Sequence, residues 1–483
     1  MENASKPQSS MGLEESKPIT WEESQLNAQN WPTWKKCHKL ALVSTYGLLA
    51  SLGTSIISPA QHALVTEFGV TDLQALLPLS LYVFALALGP AIAGPLSEIV
   101  GRQPIFRYTS VLGALFTVGA ALVPNFGALC FWRFAAGCCW GPALAVASGT
   151  ISETFSSKTR GSVVSVFVLT AFLGPGIGPV IGAFVVNRLG WRWTMWILVI
   201  FSAIPILLAV TSQETYAPVL KRRLALSQEQ TVPPKPPFWP RLRAIMSICL
   251  MRPIDMIFTE PIVSLVCLYV SVNFGILFSF FAAIPYIFGT VYHFNIEKSG
   301  LIFLFVAVGV LLGVVTATIC DVTIHRPMLA REKSGRLAPE HRLYCAKIGS
   351  IGLPLGCFWF AWTAREDISW AVPATGILPF AWGTMCIVVS FSQYMVETYK
   401  GTVVASQASA GVLTRYIFAG AFPLFIVQMY RNLHISWALS FFGFVTVALM
   451  PLPWVFFKYG PRIRAKSKYD TFEYESDKQQ IKK

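Results

Sequence analysis

The chain has 483 residues, 54% of them hydrophobic and only 13% charged, well below the ~25% charge of soluble domains. That composition excludes a soluble multidomain protein, which would expose large apolar patches to water. The formal net charge is +14, and its placement along the chain decides what it means.

Residues 1–39 are polar and lack the apolar core of a cleaved signal peptide, so the first span is expected to direct insertion. Crossing a ~30 Å hydrocarbon core takes about 20 apolar residues. Twelve such segments are predicted: 40–60, 75–95, 107–124, 128–150, 163–186, 192–212, 261–286, 299–319, 344–363, 369–392, 403–428 and 435–457. Backbone in lipid must satisfy its own hydrogen bonds, so all twelve are read as helices. The expected fold is an all-α integral membrane protein with twelve transmembrane helices in two six-helix halves. Its parts are a tail (1–39), a first half (40–212), a linker (213–260), a second half (261–457) and a second tail (458–483). The linker is rich in charge and proline, as in Lys221-Arg-Arg223 and Pro233-Pro-Lys-Pro-Pro237.

Twelve spans put both termini on one side. Of the 38 Lys and Arg residues, 31 fall in the tails and the connections on that side. The positive-inside rule makes it the cytoplasmic side. The basic charge is therefore a topology signal, and nucleic acid is not an expected partner.

Along the chain, the first informative stretch is Gly94-Pro-Leu-Ser-Glu-Ile-Val-Gly-Arg-Gln-Pro104, between spans two and three. Gly94 and Gly101 allow a tight turn, and Glu98 with Arg102 is expected to form a breakable inter-helix pair. A weak echo occupies the same place in the second half: Asp321, His325, Arg326 and Pro327. Arg133 lies inside span four, where a charge is costly and marks function by default; the competing reading is an arginine snorkelling to the interface. Span five carries Gly174, Pro175, Gly178, Pro179 and Gly182, with glycines every fourth residue on one face, a spacing for close helix packing. Glu260 opens span seven. One reading makes it a proton-binding acid desolvated beside apolar groups; the other makes it a helix N-terminal acid beside Pro261. Arg415 inside span eleven is either a substrate contact or the partner of an acid elsewhere. Tyr82, Trp140, Phe274, Phe278, Tyr286, Tyr394 and Tyr416 are candidates to line a broad apolar cavity.

No phosphate-binding G-x-x-x-x-G-K-[ST] loop is present, so ATP is not expected to drive transport directly. The six histidines are scattered, and the ten cysteines show no paired C-x-x-C spacing. No metal, no cofactor and no catalytic cluster is therefore expected.

The 94–104 stretch resembles the signature loop of the major facilitator superfamily, roughly G-x-L-[ST]-D-x-x-G-R-[RK]. Arg133 with Gly137 resembles that family's R-x-x-x-G motif, linked with proton coupling. Residues 174–182 resemble its antiporter motif, G-P-x-x-G-P-x-x-G. Asn30-Trp-Pro-Thr-Trp-Lys-Lys36, Trp191-Arg-Trp193, Glu214-Thr-Tyr-Ala-Pro-Val-Leu220, Glu260-Pro-Ile-Val263 and Phe418-Ala-Gly-Ala-Phe-Pro-Leu-Phe425 resemble fungal twelve-spanner (DHA1) drug:proton antiporters. The resemblance implies a monomeric, proton-driven exporter of drugs or secondary metabolites in the plasma membrane, not an enzyme, with polyamine export as the alternative and a transport-dead sensor as the reading from another class. Departures are Glu98 where Asp is usual, Gln103 in place of a second base, and Tyr416 where Ser is usual.

Overall fold

A computed structural model describes residues 21–228, 237–332, 337–400 and 402–472. Most of the proline run at 233–237 lies outside the described residues. Eleven continuous helical stretches are long and apolar enough to cross a bilayer. The last runs from Ser406 to Arg464 over 59 residues, about twice what one crossing needs. It breaks at His434, whose φ of 61° is non-helical. The break divides it into two crossings and brings the total to the twelve expected.

The spans are α1 (Thr33–Ser55), α2 (Leu77–Val100), α3 (Arg102–Leu122), α4 (Phe126–Trp140, resumed by Pro142–Thr154), α5 (Ser157–Leu189) and α6 (Arg192–Thr211). The second set is α7 (Pro261–Val291), α8 (Phe303–Cys320), α9 (Tyr344–Thr363), α10 (Ala371–Thr398), α11 (402–433) and α12 (435–449). Both ends of the described chain lie at one end of the bundle, here the terminal end; the other is the far end. Local sequence sets the boundaries. Asn125 caps α4 by accepting from the Ala128 amide at 2.8 Å, satisfying one of the amides left free at a helix start. Gly101 separates α2 from α3 at φ +106°, a conformation costly for any residue with a Cβ.

Within each set α1 packs on α5, α2 on α4, α9 on α10 and α7 on α11. Between the sets the main contacts are α2 with α11 and α5 with α8. The outward stripe of α8 (Leu304, Val308, Leu311, Val315, Ile319) is exposed. Its spacing of three and four residues makes one helix face, and that face suits lipid.

Two boundaries differ from expectation. The stretch read as a linker holds two helices, Ala217–Ser227 and Phe238–Thr259, and the second packs on both α2 and α11. The twelfth span does not end in a tail at 457. The chain bends at Met450–Pro451 and continues as an amphipathic helix, Leu452–Arg464. Residues 465–472 then return as a strap across the terminal end.

Candidate functional site

Arg133 is 1% exposed, which rules out the snorkelling reading. Its Nη2 donates to the Gly53 carbonyl at 2.5 Å and its Nε to the Pro78 carbonyl at 3.2 Å. The guanidinium sits 4.2 Å from the ring centroid of Tyr82. Tyr82 in turn donates to the Ala50 carbonyl at 3.0 Å. Among the described residues no carboxylate forms an ion pair with Arg133. Three helices (α1, α2, α4) thus hold a buried cation by carbonyl dipoles and a ring face.

A ladder of rings crosses between the helix sets. Phe172 of α5 meets Phe274 of α7 at 5.7 Å, and Phe274 meets Phe278 at 4.8 Å and Tyr416 of α11 at 5.5 Å. Phe278 continues to Phe281 and on to Phe303. Arg415 is half-buried beside this ladder, 5.1 Å from the Phe274 ring and 5.3 Å from that of Tyr416. Its Nε is buried and has no hydrogen-bond partner among the described residues.

Three of the ring candidates lie elsewhere. Trp140 packs 4.9 Å from Tyr46, against Gly113 of α3, inside the first helix set. Tyr394 is buried near the terminal end between Phe391 and Phe456. Tyr286 stacks on Tyr430 and lines a cavity at the far end. Ring content and periodicity could not separate these environments, because all of them bury aromatics.

The glycine ladder of α5 faces α1. A methyl group at Gly174, Gly178 or Gly182 would collide with Ser51, Ser55 or Ile56, and Ser55 donates to the Gly174 carbonyl at 3.0 Å. The glycine that meets the other helix set is Gly176, where a methyl group would lie 2.7 Å from the Ala307 Cβ of α8. Sequence reasoning passed over it because it is out of register with the four-residue repeat. Pro175 and Pro179 lie within α5 without ending it.

At the terminal end the expected Glu98–Arg102 pair is replaced. Arg102 pairs with Glu153 at the end of α4, 3.2 Å away, and also donates to Ser97 Oγ. Gly101 interrupts the helix between Glu98 and Arg102, so their four-residue separation no longer places them on one face. The Glu214 carboxylate, from the segment after α6, accepts from the Arg102 and Gln103 amides at 2.9 and 3.1 Å. It caps α3 across a gap of 112 residues. Gly94 has open space where a side chain would be.

The second set repeats this arrangement with a different base. Asp321 lies in a turn of π-helix, Asp321–His325, and pairs with Arg326 at 2.9 Å and with Arg342 at 2.8 Å. Arg342, in the 3-10 turn Pro339–Leu343 that leads into α9, also reaches Glu397 at the end of α10, 2.6 Å away. His325, at the place the spacing gives to Arg102, lies 3.6 Å from Asp321, but the base that reaches the end of the fourth helix, as Arg102 does, is Arg342. The segment after α12 supplies Arg464, which pairs with Glu340 at 2.5 Å; both side chains are almost wholly buried.

Glu260 is buried at the junction of Phe238–Thr259 and α7. It accepts from Ser467 Oγ at 2.8 Å, the Lys468 amide at 2.8 Å and the Tyr399 hydroxyl at 3.2 Å. Two of these donors belong to the strap and the third, Tyr399, follows α10. Tyr469 donates to Asp255 at 2.6 Å, a bond that holds its phenol above the ordinary pKa.

At the far end the two sets are fastened together. Asp72 pairs with Arg431 at 3.0 Å, Arg188 with Glu297 at 3.2 Å, and Ser58 donates to the Phe281 carbonyl at 2.6 Å. A cavity with about 870 Å³ of empty space, partly open to solvent, lies between them; Ser58, His62, Asp72, Tyr286, Phe303 and Arg431 are among its lining residues.

Residues 43–414 match the family description "Major Facilitator Superfamily". The chain is 36% identical over 467 residues to the ascochitine biosynthesis cluster MFS transporter of Didymella fabae, covering 93% of this chain and 89% of that protein. It is 34% identical to efflux pump FUB11 of Gibberella moniliformis (92% and 76% covered) and 32% identical to polyamine transporter 4 of Saccharomyces cerevisiae (92% and 71% covered). Among solved structures, the proton:xylose symporter XylE superposes with a TM-score of 0.62 at 17% identity, covering 88% of this chain and 97% of that one.

Proposed function

The chain belongs to the major facilitator superfamily, and from that premise we propose that it is a proton-coupled antiporter that exports small organic molecules. The relatives named as an efflux pump and as a biosynthetic-cluster transporter support export of a secondary metabolite or toxin. On this reading the terminal end is cytoplasmic, the membrane is the plasma membrane, and the protein works as a monomer of two six-helix halves.

The observation that carries the reading is Arg133, a buried cation with no acid paired to it among the described residues. A charge kept in a span at such cost is expected to serve an ion or substrate pathway. The two helix sets rock about α5–α8 and α2–α11, and cargo leaves at the far end once the Asp72–Arg431 and Arg188–Glu297 pairs part. Parallel repeats with a substrate site between them near midplane suit such a cycle.

Purified protein in proteoliposomes under an imposed pH gradient tests this. Substrate movement is expected to follow the gradient and to be lost in Arg133→Ala. Movement indifferent to collapse of the gradient would overturn proton coupling. Polyamine export is the second reading, favoured by the yeast relative's name.

A further inference from the structure

We propose that the ring ladder between the helix sets is a carboxylate-binding site, so that the cargo is an aromatic organic acid. The inference deepens the export reading and rests on it for the word cargo, not for the binding itself.

The first argument is charge. The acids of α1–α12 lie at the helix ends: Glu98 and Glu153, and Glu397 in the second set. Apart from Lys39 and Arg107, which bond backbone carbonyls at the terminal end, the described residues between those ends carry two cations, Arg133 and Arg415, and no carboxylate. Burying an uncompensated cation is expensive. A bound anion relieves that cost, whereas a polyamine would add to it.

The second argument is the difference between the two arginines. Arg133 is held at its Nε: carbonyls take Nε and one N–H of Nη2, and the Tyr82 ring covers one face. Arg415 is not. Its Nε is buried without a partner, on a half-buried side chain. An unsatisfied donor of a charged group out of contact with water is unusual enough to require an explanation. The guanidinium fork matches a carboxylate, which it binds through two parallel hydrogen bonds. A carboxylate on Nε and one Nη would complete Arg415.

The third argument is what surrounds it. Phe274 and Tyr416 both have their rings within 5.3 Å of the Arg415 guanidinium carbon. Phe172 and Phe278 extend the apolar wall toward α5 and along α7. A ligand whose acid group meets Arg415 would lay its body against these rings, where aromatic pairs favour offset or edge-to-face contact. An aromatic acid fits both the cation and the wall; a neutral aromatic fits only the wall.

The probe is 1-naphthoate against its methyl ester and against spermidine, each measured by equilibrium binding to the full-length protein in detergent without a pH gradient. The acid is expected to bind at least about tenfold more tightly than the ester, the scale of one hydrogen bond to a charged group, and spermidine is expected not to compete. Arg415→Met is expected to remove the preference for the acid while ester binding persists, which also reports that the variant is folded. Equal affinity of acid and ester, or an acid preference that survives Arg415→Met, would overturn the proposal. Because binding is read without a gradient, failure of gradient-driven transport would strike only the export reading.

Discussion

At the scale of single residues, the costly charges were legible and their partners were not. Arg133 stands out in any apolar run, yet nothing local says that it would meet Gly53, Pro78 and Tyr82 on two other helices. The loop at Gly94–Pro104 invited a pairing of Glu98 with Arg102, and the break at Gly101 sends Arg102 to Glu153 instead. Glu153 is the acid that sequence reasoning missed, and it also accepts from Thr215 at 3.0 Å. A pair this shielded carries charge-assisted bonds of about 1.5–3 kcal/mol each. Glu153→Gln is therefore expected to slow transport about tenfold or more while leaving the affinity for substrate within about twofold. Glu98→Gln, which leaves the Arg102–Glu153 pair in place, is the comparison. Parallel transport and binding measurements on both variants decide the point, and a loss of affinity matching the loss of rate would remove the network from the conformational cycle.

At the scale of elements, twelve crossings could be counted from hydropathy because bilayer thickness imposes one length on every span. The four-residue glycine repeat of α5 was equally legible, but periodicity alone does not name the helix it faces. It faces α1 within the first set, and Gly176 faces α8 across the interface. The two kinds of glycine should therefore fail differently. Gly178→Val overpacks the α1–α5 seam, at about 1–3 kcal/mol, and is expected to lower the melting temperature in detergent. Gly176→Val wedges α5 from α8. The far-end ion pairs opposing that wedge are exposed, with Arg431 and Asp72 side chains 55% and 54% accessible, and such pairs contribute about 0–1 kcal/mol. The wedge should win. A cysteine placed by Ser58→Cys is expected to react with a bulky thiol reagent faster in the Gly176→Val background than without it, with melting little changed. Unchanged labelling would show that α5–α8 is not where the far end is held shut.

At the scale of the whole molecule, a second-half echo of the 94–104 loop was visible in sequence, and Asp321 does meet His325 and Arg326, but nothing in that order pointed to Arg342 as the base that reaches the fourth helix. The repeat is one of position in space: the start of the third helix in each set meets the end of the fourth, through Arg102–Glu153 and Arg342–Glu397. The segment following each set then ties back to that third helix with opposite polarity, Glu214 onto the Arg102 and Gln103 amides and Arg464 onto Glu340. Removing one partner of a buried pair costs about 3–5 kcal/mol, because the other charge is stranded. Glu340→Gln is expected to lower the melting temperature markedly, and a Glu340→Gln, Arg464→Met double variant to recover much of it. No recovery would mean that the packing around Gly460, and not the charge pair, holds the helix after α12.

The strap at 465–472 extends the same logic to the terminal end. Its backbone pairs with the turn between α10 and α11 through Lys400–Asp470 and Phe472–Thr398, at 3.0 and 3.1 Å. Ser467 and Lys468 fasten it to Glu260, and Tyr469 to Asp255. Sequence could not show this, because the segment is short, polar and free of hydrophobic period, and its side-chain partners Glu260 and Asp255 lie more than 200 positions earlier. Ser467→Asp replaces a donor with a carboxylate facing the Glu260 carboxylate, and like charges at such contact destabilise. The strap should open, exposing the bonds after Lys466 and Lys468 to trypsin about tenfold faster than in the unaltered protein, while Ser467→Ala, which loses one hydrogen bond without adding charge, should change the rate less. Adding Glu260→Gln to Ser467→Asp removes the repulsion and is expected to slow cleavage again. If it does not, the Lys468 amide and the strap's backbone pairing hold the segment, and Glu260 only marks where it lands.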